Sequence, residues 1–354
     1  MNAIVDRLRE QVLAACGRRR LEIRGGGSKS WYGAPDPDAE PLEVGLLSGI
    51  IRYEPSELVL TAYGGTPLRE VEALLARHGQ WLPFSPPHFA DSATIGGAVA
   101  AGLSGPTRWG HGALRDYVLG VRVLDGQGRV LRFGGEVMKN VAGYDVARLF
   151  AGSLGTLGVI LEVSLKVLPL PPATLTLRFA CSQDEAIERL NRWAGQPLPL
   201  SASVWWQGEM TLRLAGARAA VEAAAARLGG EVLPEAAAQR FWEEVREQRL
   251  PVWNLHEGEV LWRLALPPTT PAWADAEDAL VEWGGGLRWL RRPVGDDSWF
   301  ERARAVGGHA VRWRGARAGE RVFAPRGAAE RAIEERLKAA FDPDGVFARR
   351  LPLE

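Results

Sequence analysis

Four segments of this sequence combine bare backbone with hydroxyl or cationic side chains. RGGGSK at 24–29 places Gly25, Gly26, Gly27 and Ser28 between Arg24 and Lys29. SATIGGA at 92–98 leads through Ala93, Thr94 and Ile95 to Gly96, Gly97 and Ala98. GGEVMKN at 134–140 ends on Lys139 and Asn140. GSLGTLGVI at 152–160 spaces Gly152, Gly155 and Gly158 around Ser153 and Thr156, then runs into Val159 and Ile160. Glycine lets a ligand approach main-chain N–H groups closely, and consecutive N–H groups form a concave donor for anions. With a hydroxyl beside three of the four runs (Ser28, Thr94, and Ser153 with Thr156), the chemistry offered is the grip of an extended anionic ligand, such as the diphosphate of a dinucleotide. Only four of the 43 basic residues are lysines, which singles out Lys29 and Lys139 inside glycine-rich segments.

The familiar one-loop nucleotide motifs do not account for this pattern. A nicotinamide-type site needs GxGxxG between a strand and a helix. GGGSKS lacks that spacing, and GSLGTLG runs into VILEVSLKVLP, a β-branched run that reads as a strand. The phosphate loop GxxxxGK[ST] is also missing. Several separate loops around one ligand remain.

The elements that must carry these loops follow from periodicity. Ile4, Val5, Leu8 and Val12 share a helical face, and LEIR is a short strand opening into the first glycine loop. GIIRYEPSELVLTAY reads as two strands around EPSE. Thr66 and Pro67 then cap a helix carrying Leu68, Val71, Leu74 and Leu75, with Gly79 as its stop. WLPFSPPHFADSATIGG is loop, and residues 117–135 form a hairpin turning at Asp125-Gly126. VARLF is a short helix. Pro169, Pro171 and Pro172 mark a boundary, so two domains are expected, at 1–171 and 172–354. All five tyrosines precede it and eleven of the fourteen tryptophans follow it. The second part alternates strands (LTLRFAC, SASVWW, MTLRLAG, EVLWRLALP, LRWLRR, AVRWRG) with helices (DEAIERLNRWA, ARAAVEAAAARLG, WADAEDALVEWG). The fold class is therefore α+β, with an antiparallel sheet backed by helices in the second domain.

Composition narrows the function. The 354 residues carry 43 basic and 43 acidic side chains, so nothing in the charge favours nucleic acid or an anionic membrane. Cys16 and Cys181 are far apart, which argues against a disulfide framework or an iron–sulfur cluster of the chain's own. His78, His88, His111, His256 and His309 form no paired-ligand pattern, so no metal site is expected. No apolar run reaches the ~18 residues of a membrane span, and the charged start MNAIVDRLREQVLAAC has no signal core. A cytoplasmic protein is expected.

RGGGSK, LPFSPP (82–87, including Pro86), SATIGGAVAAGLSGPTRWGHGALRDYVLGV (92–121), GGEVMKNVAGYD (134–145) and GSLGTLGVI resemble the FAD-binding domain of the vanillyl-alcohol oxidase/p-cresol methylhydroxylase superfamily. Within it they are similar to the FAD-binding accessory subunits of bacterial glycolate oxidase complexes. The resemblance covers roughly 20–170 and resumes at GGHAVRWRG (307–315), VFAP (322–325) and FDPDGVF (341–347). It implies a two-subdomain FAD-binding domain of the p-cresol methylhydroxylase (PCMH) type under a second domain that covers the isoalloxazine. By position, Arg24–Lys29 and Thr94–Ala98 would meet the diphosphate and ribityl chain, and Gly152–Ile160 would line flavin and adenine. Lys139, Asn140, Tyr144 and Asp145 would lie near the cofactor or hold their own loop together. The implied function is glycolate oxidation within a complex, beside a homologous FAD-binding catalytic subunit and an iron–sulfur subunit, with any membrane association through those partners.

Four departures accompany the resemblance. Related catalytic dehydrogenases read GSEGTLG, whereas Leu154 replaces the acidic residue here. Their histidine-rich metal site has no counterpart. FARR (347–350) replaces an ending similar to FNPG. Ser28 stands where covalent-flavin members carry histidine, so FAD is expected to be noncovalent. Two rival functions remain: a self-sufficient 2-hydroxyacid dehydrogenase, with Arg108, His111 and Arg115 as a carboxylate clamp, and a structural subunit without flavin.

Overall fold

The computed structural model describes residues 2–34, 36–135, 144–317 and 319–351. Its first sheet has five antiparallel strands in the order Ile50–Glu54, Val59–Tyr63, Val159–Lys166, Val118–Leu124, Val130–Gly134. The strand that emerges from the third glycine loop is thus central. It is buried at almost every position, as its β-branched sequence requires. Leu68, Val71 and Leu75 on the helix Leu68–Arg77 pack with Ile95 and Val99 against Val121, Val163 and Leu165 of this sheet. Val5, Leu8, Val12 and Ala15 of the helix Asn2–Ala15 build a second cluster with Leu42, Leu161 and Phe347. Leu21–Arg24 pairs in parallel with Glu40–Glu43 and delivers the first glycine loop.

The hairpin at 117–135 forms as read. The buried Asp125 carboxylate accepts from the Gln127 and Arg129 N–H groups and from Arg129 Nε. Thr66 does not cap its helix. Its hydroxyl lies 2.7 Å from the Tyr63 carbonyl and accepts from Gly49 N–H, leaving Pro67 at the N-cap with no side-chain bond.

The second sheet has eight antiparallel strands in the order Glu231–Val232, Ala173–Ala180, Glu209–Gly216, Leu200–Trp206, Leu280–Glu282, Leu287–Pro293, Glu259–Ala265, His309–Arg314. The architecture is α+β throughout. Alternate strand residues face opposite sides. Val204, Leu261 and Leu280 turn toward Ala101 and Leu103 of the first unit. Trp205 and Val281 turn toward the helices Gln183–Ala194 and Arg218–Leu228, and Val260 and Trp262 toward Ser298–Ala305. A sheet covered on both faces needs bulk on both, which is where Trp205, Trp242, Trp253, Trp262, Trp283, Trp289, Trp299 and Trp313 are buried. WADAEDALVEWG is not the expected helix. It gives a 3-10 turn at Ala274–Ala276 and the strand Leu280–Glu282, because adjacent Leu280 and Val281 must be buried on opposite sides.

After the second sheet the chain returns to the first. The helix Ala328–Phe341 puts Phe341 into the first core, and Phe347 pairs with Leu21. Buried Lys338 donates to the Thr156 carbonyl (2.7 Å), the Phe347 carbonyl (3.0 Å) and the Asp342 carboxylate (2.6 Å). Asp342 also accepts from Val346 and Phe347 N–H, which explains the FDPDGVF sequence. Removing one partner of such a pair leaves an uncompensated buried charge. Lys338→Met is expected to cost about 3–5 kcal/mol, read as a lowered urea midpoint; an unchanged midpoint would show that the pair does not hold this segment.

Candidate functional site

Three of the four chemical segments meet in one cleft. Gly26 crosses the second loop so closely that a Cβ on it would lie 1.4 Å from the Ser92 carbonyl oxygen. Ser92 Oγ donates to the Gly26 carbonyl, fastening the two loops. Gly27 follows at φ +69°, which turns the chain. On the second loop, Thr94 N-caps the short helix Ile95–Ala101, its hydroxyl accepting from Gly97 N–H at 3.2 Å. The third loop enters through Leu154, whose N–H donates to the Ala100 carbonyl.

The resulting cleft, counted with the solvent-open space at its mouth, spans about 780 Å³. Arg24, Gly25, Gly26, Gly27, Ser28, Lys29, Thr94, Gly96, Gly97, Gly155, Gly158 and Ile160 line it. Other expected residues lie elsewhere. Ala93, Ile95 and Ala98 are in the first core and Val159 in the second cluster. Pro86 is buried outside the lining. Gly152, Ser153 and Thr156 border a separate cleft with Lys338 and Arg349. There the Ser153 and Thr156 hydroxyls donate to the Phe150 and Ser153 carbonyls. Lys139 and Asn140 lie outside the described residues.

The sequence reading missed Ile23, Ser30, Val44, Gly64, Ala100, Ala101, Leu154 and Arg350 in the lining. Gly64-Gly65 was a visible signal, a further glycine pair at a strand end. Arg350 had none. Its guanidinium donates to the Ser30 carbonyl (2.8 Å) and Tyr32 carbonyl (3.0 Å) and pairs with Glu22, so it holds the first glycine loop from across the chain.

The donor set fits a bound anion. Among the described residues, none of the N–H groups from Gly25 through Lys29 donates to a protein acceptor. Arg24 Nε is buried without a partner, while its Nη2 bonds Glu22. Five successive unclaimed donors beside a guanidinium suit a diphosphate. The apolar wall of Ile23, Val44, Ala100 and Leu154 suits flat rings.

Lys29 completes the electrostatics. Burial lowers its pKa to about 8, and Glu247 opposes the shift. Lys29 Nζ donates to the His88 carbonyl (3.2 Å) and lies 5.4 Å from the Phe89 ring centroid. Buried Glu247, from the second unit, accepts from His88 N–H and from Phe89 N–H (2.8 Å). The second unit therefore fixes the loop that faces Lys29.

Comparison with known proteins shows the family and the fold. The FAD binding domain family (FAD_binding_4) matches residues 8–134. Glycolate oxidase subunit GlcE of Escherichia coli (strain K12) is 46% identical over 341 residues, spanning 96% of this chain and 95% of that protein. The chain belongs to the GlcE family of glycolate oxidase subunits. It is an FAD-binding oxidoreductase. Glycolate oxidase subunit GlcD of Bacillus subtilis (strain 168) is 33% identical over 47% of this chain and 36% of its own length. A D-lactate dehydrogenase of Archaeoglobus fulgidus is 32% identical over 42% of this chain and 33% of its own length. In fold, a solved alkyldihydroxyacetonephosphate synthase matches with a TM-score of 0.67 at 14% identity, covering 97% of this chain and 74% of that one. This GlcE-family chain thus has the expected two-subdomain FAD-binding architecture under a second, sheet-based unit.

Two glycines separate ligand contact from folding. A Cβ on Gly97 meets only Thr94 Oγ1, at 3.0 Å, and otherwise open space. Gly97→Val is expected to fold and to weaken FAD binding by about 1.5–3 kcal/mol, measured by flavin fluorescence titration. Gly26→Ala should instead lower thermal stability outright. Equal FAD affinity in a folded Gly97→Val protein would remove Gly97 from the site.

Lys29 gives a pH test on the unliganded chain. From about pH 8 to 10.5 the unfolded chain keeps a proton that the folded chain has released. The unfolded state then binds more protons, so stability relative to Lys29→Met should rise with pH across this window. Urea unfolding of both proteins tests this, and a flat difference would mean that Lys29 stays charged.

Proposed function

We propose that the protein is the noncovalent FAD-binding subunit of a glycolate oxidase complex, in which glycolate loses a hydride and a proton to give glyoxylate. The observation that carries the reading is the run of unclaimed N–H donors from Gly25 to Lys29 beside Arg24, in a chain of the GlcE family. The names of relatives, glycolate oxidase subunits and D-lactate dehydrogenase, support a 2-hydroxyacid as substrate. In this reading residues 1–171, joined by the returning C-terminal segment, bind FAD, and the rest of 172–354 forms the covering unit.

FAD, once bound, supplies a group that takes a hydride and releases electrons singly, here toward an iron–sulfur partner subunit. The chain's own residues do the binding. The N–H groups of Gly25–Lys29 grip the diphosphate, and Lys29 adds a buried cation. Glu247 holds the His88–Phe89 loop closed over that cation. Leu154, which like Trp31 and Tyr32 packs against the cluster at the junction of the units, offers an apolar wall where related catalytic dehydrogenases carry an acidic residue. Among the described residues no three His, Cys, Asp or Glu side chains converge to hold a metal, and no helix is long and apolar enough to cross a membrane. In this reading substrate turnover belongs to a homologous FAD-binding subunit working beside this one.

Acid precipitation should release all flavin into the supernatant, since the cleft lining contains no cysteine or histidine. The lone chain should hold FAD yet oxidise glycolate far more slowly than a complex co-expressed with the homologous FAD subunit and the iron–sulfur subunit, assayed with an artificial acceptor. Equal turnover by the lone chain would replace this reading with the self-sufficient dehydrogenase. A colourless, folded chain that cannot be loaded would favour the structural subunit.

A further inference from the structure

The helix Glu235–Arg246 of the second unit ends against its own local preferences. Its C-cap is Glu247, a carboxylate at the negative pole of the helix dipole, where a cation is favoured. The next residue, Gln248, adopts φ +54°, a left-handed conformation that helix ends usually give to glycine. Both find their partners elsewhere. Gln248 Oε1 accepts from Trp313 Nε1 at 2.8 Å. The buried Glu247 carboxylate reaches the first unit, where its Oε2 accepts from Phe89 N–H at 2.8 Å and from His88 N–H at 3.1 Å. Arg246 Nε donates to its Oε1 at 2.8 Å. Local strain that the surroundings hold in place points to a task other than helix stability.

The clamped loop faces the FAD cleft. Lys29, in the cleft wall, donates to the His88 carbonyl, and its Nζ lies 5.4 Å from the Phe89 ring centroid. One short segment thus gives its N–H groups to Glu247 and a carbonyl to Lys29. Burial lowers the pKa of Lys29, and Glu247 is the acid that opposes the shift. The other charged groups around the loop are engaged. Glu72, on the helix Leu68–Arg77, bonds His88 Nε2 at 3.0 Å and lies 3.9 Å from Arg246 Nη1. Arg314, at the end of the strand His309–Arg314, lies 4.5 Å from the Trp31 ring centroid and 5.5 Å from that of Phe89.

We propose that Glu247 is a positioning residue for the cofactor: from the second unit it keeps the Lys29 ammonium charged in the wall of the cleft, so that FAD binding and docking of that unit strengthen each other. An anionic diphosphate favours the ammonium over the neutral amine, and the ammonium in turn favours the acid. By linkage, what FAD gains from Glu247, the docking of the second unit gains from FAD. The inference deepens the proposed function and rests on the cleft being the FAD site.

The test measures FAD affinity by flavin fluorescence over about pH 6 to 9.5. In the unliganded parent Lys29 loses its proton near pH 8, so affinity should fall above that pH, by at most about tenfold per unit for one proton. In Glu247→Gln the burial of Lys29 is unopposed, and the fall should begin roughly one pH unit lower. Glu247→Asp keeps the charge and should return the midpoint toward the parent's. Combining Lys29→Arg with Glu247→Gln should flatten the profile, since a guanidinium stays charged; a fall arising from the His88 ring would persist there. If Glu247→Gln does not fold, amide hydrogen exchange of the parent decides, and FAD should slow exchange at His88, Phe89 and the end of the helix Glu235–Arg246. An unmoved midpoint in Glu247→Gln, a loss equal at every pH or exchange unchanged by FAD overturns the inference and leaves the proposed function standing. A parent chain that takes no FAD at any pH overturns both.

Discussion

Bare backbone is a poor structural material, and this protein can present it because a later segment holds it in place. The Lys338 ammonium joins the Thr156 carbonyl, the Phe347 carbonyl and the Asp342 carboxylate in one buried knot. From there the chain runs to Arg350, which grips Ser30, Tyr32 and Glu22 around the first glycine loop. A loop of three glycines has a large conformational entropy to lose. Anchoring its flanks from outside removes that freedom while leaving the N–H groups of the loop itself unclaimed.

The same economy of contact governs the meeting of the two units. The second sheet turns Val204, Leu261 and Leu280 onto the first unit, and Trp283 Nε1 donates to the Gly105 carbonyl at 3.1 Å across the junction. Glu247 spans it from the other direction, to the backbone of His88 and Phe89. The junction is therefore apolar in its body and polar at fixed points. Lys29 feels the result, since the second unit supplies the acid that partly offsets its burial.

What could be read from the sequence follows from the range of each interaction. Glycine runs, the Asp125-Gly126 turn and alternating strands are local signals, so the first two loops and most strands were legible. The GSLGTLG loop was legible only in part. Gly155, Gly158 and Ile160 line the cleft, but Ser153 and Thr156 spend their hydroxyls on nearby carbonyls. Adjacent apolar residues in WADAEDALVEWG mimic a helical stripe, and only a sheet covered on both faces turns Leu280 and Val281 apart. Arg350 was illegible because its partners lie more than three hundred positions away. Among so many arginines, nothing local marks the one that matters.

The grip of Arg350 also orders events in time. Synthesis delivers Gly25–Lys29 first and Arg350 only after both sheets have been made. Until then the cleft lacks part of its wall, and Ser30 and Tyr32 lack the donor that fixes them. The first glycine loop is thus complete in sequence long before the side chain that steadies its flank exists.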